Sequence, residues 1–100
     1  SSVIYNFFFV KELIKISAIL IEEFRQPLKD KGIELVLGDG VCEIVAEKSE
    51  DGGRGARDIR RTIRKNIEDK VANILIDNAG ALINEITVSA VDGEIEVNFK

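Results

Sequence analysis

The chain reads as an α+β domain in which helices pack on a small three-stranded sheet ending in a β-hairpin. Three observations predict this class. Ile59, Ile63, Ile67, Val71, Ile74 and Leu75 recur at three- and four-residue spacing, the pattern of one long amphipathic helix. Asp92-Gly93 is a favoured two-residue type I′ turn, flanked by runs that alternate apolar and polar residues. Ile33, Leu35 and Leu37 supply a third run of strand character, which the hairpin needs because two strands alone are marginal in water.

The elements follow in order. Val3 to Val10 is apolar and β-prone, rich in aromatic and β-branched residues. Lys11 to about Arg25 then has helical spacing, with Leu13, Ile16, Leu20 and Phe24 on one stripe and Ile14, Ile19 and Ile21 widening it. So broad an apolar surface predicts burial on two sides, or an interface with something outside the segment. Pro27 is expected to kink or end this helix, and Lys31-Gly32 reads as its stop. After the Ile33 to Leu37 strand, Asp39 is a plausible N-cap for a helix through about Lys48, with Val41, Ile44 and Val45 facing inward. Ser49 to Arg54, containing Gly52-Gly53, reads as a loop. The long helix is predicted from Arg57 to Asn78, a rod of about 32 Å at 1.5 Å per residue.

The hairpin can be set in register from its turn. Asp92-Gly93 pairs Val91 with Glu94, Ala90 with Ile95, Val88 with Val97 and Ile86 with Phe99. The last three pairs are apolar and share one face, while Ser89 with Glu96 and Thr87 with Asn98 take the other.

Composition limits the function. A length of 100 residues with 45% hydrophobic and 32% charged residues fits one globular unit with a modest core. No charge-free apolar run is long enough to span a bilayer, and the first residues lack the pattern of a secretory leader, so a cytoplasmic setting is expected. The single cysteine, Cys42, sits between Val41 and Ile44 and reads as a small buried residue, and the lack of histidine removes the usual zinc constellations. A net charge of −4 argues against generic nucleic-acid binding. The cations are concentrated, however: Arg54, Arg57, Arg60, Arg61, Arg64 and Lys65 fall within twelve residues. On a helix Arg57, Arg60, Arg61 and Arg64 form one positive face opposite the isoleucines, with Arg57 at the tip.

Gly55-Ala56-Arg57, followed by Asp58-Ile59-Arg60-Arg61-Thr62-Ile63-Arg64-Lys65-Asn66-Ile67-Glu68-Asp69, resembles the second-sensor motif of Clp-type AAA+ unfoldases. The resemblance covers most of the chain, since the order helix, strand, helix, long helix, hairpin is that of the family's small, lid-type C-terminal domain. It implies that residues 1–10 leave the large ATPase domain and that 11–100 form the small domain. It further implies that ATP, as Mg-ATP held mainly by the large domain, is met by Gly55, Ala56 and Arg57, with Arg57 reaching the γ-phosphate in a catalytic second-sensor role. The implied partners are the large domain of the same parent chain, neighbouring subunits of a hexameric ring, protein substrates, and a peptidase where the parent serves a protease.

Arginine suits such a role because its planar fork stays charged and binds phosphate oxygens bidentately. No Gly-x-x-x-x-Gly-Lys-Ser/Thr phosphate loop and no Ser-His-Asp set occurs in these residues, so catalysis by this segment alone is not expected. Two other readings stand beside this one. The apolar N-terminal segment and first helix could form an independent protein-interaction module. Alternatively the arginine face could bind nucleic acid, although no aromatic residue interleaves the arginines for base stacking.

Overall fold

The computed structural model of the chain describes residues 2–50 and 56–100. They form helix α1 (Ser2–Lys29), strand β1 (Glu34–Leu37), helix α2 (Val41–Glu50), helix α3 (Ala56–Ile63), a π-helical turn (Arg64–Glu68), helix α4 (Asp69–Asp77), strand β2 (Glu85–Val91) and strand β3 (Glu94–Phe99). The sheet is mixed, in the order β1-β2-β3, with β1 parallel to β2 and β2 antiparallel to β3. The fold is the predicted α+β layer of helices on a three-stranded sheet.

The hairpin register matches the expectation at every pair, from Val91 opposite Glu94 to Ile86 opposite Phe99. Asp92 and Gly93 have φ of 52° and 77°, as a type I′ turn requires at both central positions. Ile86, Val88 and Ile95 are buried on the apolar face. Burying each such side chain is worth about 1.5–3 kcal/mol, and that fixes which face meets the helices.

Four local expectations change. First, the Val3 to Val10 segment is helical, not extended: α1 begins at Ser2 and runs on without a break. Once Lys11 onward has nucleated a helix, each further residue adds one hydrogen bond at low cost, and this cooperativity outweighs the modest β preference of phenylalanine and valine. Second, Pro27 is accommodated inside α1, which ends only at Lys29. The stop is a Schellman motif centred on Gly32: Ile33 N–H reaches the Leu28 carbonyl at 2.9 Å and Gly32 N–H the Lys29 carbonyl at 2.9 Å. Gly32 supplies the left-handed φ of 78°, and Leu28 and Ile33, both buried, make the apolar contact that accompanies the motif. Third, the first helix buries Leu13, Ser17, Ile21 and Leu28 most deeply, so its inward face is rotated from the Leu13, Ile16, Leu20, Phe24 stripe, whose last three members are half-buried. Ile19, at 62% exposure, is left outside. Fourth, the second helix starts one residue later than an Asp39 cap would give; Gly40, at φ 86°, precedes it and its carbonyl accepts from Ile44 N–H at 3.1 Å.

Three polar ties hold the helices to the sheet. Arg25, gripped by Glu22, donates from Nη1 to the Leu35 carbonyl on β1. Lys48 on α2 pairs with Glu94 at 2.6 Å, and Lys70 Nζ on α4 donates to the Ile95 carbonyl at 2.7 Å.

Candidate functional site

The predicted long helix is present as one rod from Ala56 to Asp77, but it is not a uniform α-helix. Ile59, Ile63, Ile67 and Val71 are all essentially buried, and they follow one another at intervals of four. In an ideal α-helix an interval of four overshoots a full turn by about 40°, so three intervals would swing Val71 about 120° away from Ile59. The π-turn removes the discrepancy. By absorbing one residue it leaves the twelve-residue step from Ile59 to Val71 with the rotation of about eleven α-helical residues, a residual near 20°. The backbone shows the wide turn directly: Asp69 N–H donates to the Arg64 carbonyl, five residues back. At its entry the Asn66 side-chain amide donates to the Thr62 carbonyl at 2.9 Å.

With its apolar side clamped, the rod presents its cations outward. Arg57, Arg60, Arg61 and Arg64 are exposed and, with Ala56, line an open depression of about 470 Å³. Arg61 also borders a neighbouring depression with Lys48, Thr62, Lys65 and Asn66, so the positive surface is continuous. Arg57 occupies the first turn of α3, where backbone N–H groups without helical partners add to the attraction for an anion. Asp58, in the same turn, is buried at 8% exposure rather than lying beside Arg57 on the open face. None of the ion pairs among the described residues engages these four arginines; they join Lys15 to Glu12, Arg25 to Glu22, Lys48 to Glu94 and Lys100 to Glu85.

The entry to the rod is anchored from the side. The Ser49 hydroxyl donates to the Val45 carbonyl at 2.7 Å and lies 2.9 Å from the Thr62 hydroxyl, pinning the end of α2 to the end of α3. Of the predicted site residues, Ala56 and Arg57 therefore open α3, while Gly55 lies outside the described residues, as does Arg54. The reading of the sequence missed the buried Asp58, the Ser49–Thr62 contact and the π-turn. Only the last left a signal, in the unbroken four-residue spacing of the apolar positions.

The donor set suits an anion with paired oxygens, such as a phosphate or a carboxylate. Four guanidiniums offer bidentate hydrogen bonds to anionic oxygens. Among the described residues no group of three or more His, Cys, Asp or Glu gathers to hold a metal ion. Cys42 is half-buried, and burial, aided by Glu43 and Glu22, pushes its thiol above the ordinary range, the opposite of an activated nucleophile.

Comparison with known proteins identifies the family. A family model described as the C-terminal, D2-small domain, of ClpB protein matches residues 10–88. The ATP-dependent Clp protease ATP-binding subunit ClpE of Bacillus subtilis is 34% identical over 90 residues, 90% of this chain and 13% of that protein. The chaperone protein ClpB of Prochlorococcus marinus is 30% identical over 88 residues, 88% of this chain and 10% of that one. Chloroplastic chaperone protein ClpC4 of Oryza sativa is 37% identical over 65 residues, 65% of this chain and 7% of its own. The chain thus spans about a tenth of the length of these relatives. Helices on a three-stranded mixed sheet, an arginine opening the long rod and a match over most of the length together place the chain in the family of C-terminal small domains of Clp-type AAA+ ATPases.

Proposed function

We propose that this chain is the nucleotide-sensing and oligomerising C-terminal subdomain of an ATP-dependent Clp protein unfoldase, with Arg57 contacting the γ-phosphate of ATP. The observation that carries the reading is the setting of Arg57: an exposed guanidinium on the first turn of a rod whose other side is buried at Ile59, Ile63, Ile67 and Val71. Mg-ATP, bound mainly by a large domain of the parent chain, supplies a phosphoryl group whose equatorial oxygens carry charge during transfer.

The residues of this chain bind and orient. Arg57 is carried by a stiff backbone element, so its Cα is fixed in place, while its exposed side chain gives up rotamer freedom when it meets the phosphate. Ala56, which opens α3, puts only a methyl group at the tip. Arg60, Arg61 and Arg64 extend the positive field along the rod and raise the local concentration of anions. Since the rod is packed into the core, a change in the distance between Arg57 and its phosphate turns the whole small domain relative to the large one. That rotation is the means by which hydrolysis acts on a threaded polypeptide. The partners in this reading are the large domain, adjoining subunits of a hexameric ring, protein substrates and, in a protease, a peptidase. A cytoplasmic location is part of the proposal, and no described helix is long and apolar enough to cross a membrane.

The test is Arg57→Ala in the parent protein. Other arginines that stabilise a transferring phosphoryl group contribute about 10³–10⁵ in rate, so ATPase or unfolding activity should fall at least about tenfold while the melting of the small domain stays unchanged. Arg57→Lys should not restore it, because an ammonium lacks the planar fork. A parent carrying Arg57→Ala that hydrolyses and unfolds like wild type would overturn the role.

A further inference from the structure

The outer edge of β3 has no role in the reading above, and its geometry is specific. Glu85 and Lys100 exchange both backbone hydrogen bonds, each at 3.0 Å. In an antiparallel ladder the bonded pairs then recur every second residue, at Thr87 with Asn98, Ser89 with Glu96 and Val91 with Glu94. The N–H and C=O groups of Ile95, Val97 and Phe99 therefore point away from β2. One of them is taken, because Lys70 Nζ holds the Ile95 carbonyl at 2.7 Å. At the opposite edge of the sheet Arg25 similarly occupies the Leu35 carbonyl of β1. Among the described residues nothing bonds the outward backbone groups of Val97 and Phe99; Val97 is half-buried and Phe99 is 45% exposed.

We propose that in the isolated chain, outside any ring, this edge pairs antiparallel with β3 of a second copy, with the two-fold axis at Asn98, joining two sheets into one of six strands. In that register Val97 lies opposite the partner's Phe99 and Phe99 opposite the partner's Val97, giving four backbone hydrogen bonds and two aromatic–β-branched pairs on one face. On the other face Glu96 lies opposite the partner's Lys100, twice by symmetry, and Asn98 meets its own equivalent. Neighbouring registers fail. An axis at Glu96 sets two Glu96 carboxylates against each other, and an axis at Ile95 sets Glu94 against Glu96. An axis at Val97 needs the Ile95 carbonyl that Lys70 holds. The isologous contact is closed and satisfies the strand edge that would otherwise remain open.

The experiment is sedimentation equilibrium on the full chain over a wide concentration range, with melting followed by circular dichroism. Wild type should form a dimer that dissociates on dilution. Val97→Pro should be monomeric yet folded, since the N–H it removes is not used in the β2 ladder and proline is tolerated on an edge strand. Glu96→Lys and Lys100→Glu should each weaken association about tenfold, from two lost pairs and two repulsions per dimer, and the double variant should recover wild-type affinity. That recovery distinguishes this pairing from association through any other surface, including the N-terminal half of α1. A monomeric wild type, undiminished association of a folded Val97→Pro, or a double swap no better than its single variants would overturn the proposal.

Discussion

Deleting Lys65 should leave the domain nearly as stable as wild type, although removing a residue from the middle of a helix ordinarily turns one half of it out of register by about 100°. The reason lies in the spacing of the buried positions. Ile59, Ile63, Ile67 and Val71 stand at successive intervals of four, which an α-helix cannot keep on one face, and the Arg64–Glu68 π-turn accommodates the surplus. Without Lys65 the intervals become four, three and four. That is an ordinary α-helical stripe with a residual drift of about 20°, so all four side chains can stay in the core while the wide turn closes into α-helix. Lys65 is exposed, and its loss removes no packing.

The expected change is therefore under about 1 kcal/mol, and the melting temperature should move by less than about 4–8 °C for a domain of this size. Ile67→Ala is the reference. Ile67 is fully buried, so truncation should cost about 2–5 kcal/mol, a large share of the stability of a small domain. Urea and thermal unfolding of the two variants, side by side with wild type, decide the matter. A Lys65 deletion as damaging as Ile67→Ala would mean that the π-turn is not what keeps the stripe in phase.

Other outcomes follow from the same structure. Arg57→Ala in the isolated chain should shift stability by no more than about 0.5 kcal/mol, as for an exposed substitution, so that any loss of activity in the parent is not a folding defect; a large drop in melting temperature would contradict its placement. The isolated chain should show no steady-state ATP turnover, because a positive rod tip is only part of a nucleotide site, and measurable hydrolysis by a pure sample would refute this. Glu22 and Glu94 are held below the ordinary glutamate value of 4.5, chiefly by side-chain hydrogen bonds from Arg25 and Lys48. Their contribution is present above that value and is lost as pH falls through the depressed folded-state values, so the melting difference between wild type and Glu94→Gln should shrink in acid. A difference that widened below the glutamate range would reverse the sign of the argument.

The hairpin was legible because three independent constraints agree: a two-residue turn, alternating polarity and the pairing of Ile86, Val88 and Ala90 with Phe99, Val97 and Ile95. The placement of Arg57 in the first turn of the long rod was legible because the periodic apolar stripe starts just after it. The segment around Phe7 to Phe9 was not, because local preference favours a strand, whereas the helix beginning at Ser2 is continuous with one whose later turns bury Leu13, Ile21 and Leu28. Tertiary packing of those turns decides the state of the earlier ones. The π-turn escaped for a different reason. Spacings of three and four both count as helical, so a run made only of fours looks regular until its accumulated rotation is added up.

That rotation bears on how Arg57 could act. A lever transmits a displacement only if it does not bend between the point of force and its load. From Ile59 to Val71 the rod has a buried side chain in every turn, so flexing it would open the core. The one place where the backbone ladder is widened, Arg64–Glu68, is braced within the rod by the Asn66 amide on Thr62, and just beyond it Lys70 ties α4 to the Ile95 carbonyl of β3. On the other side the Ser49–Thr62 contact couples α3 to α2, which Lys48 links to Glu94 in the hairpin. A pull on Arg57 is thus shared among α3, α2 and the sheet before any single element yields. If Arg57 contacts a phosphate as proposed, the small domain should move as one body when that contact is made or lost. Replacing Asn66 and Lys70 together should therefore weaken the coupling of hydrolysis to unfolding in the parent more than it slows hydrolysis itself, and equal losses in both activities would argue against the lever.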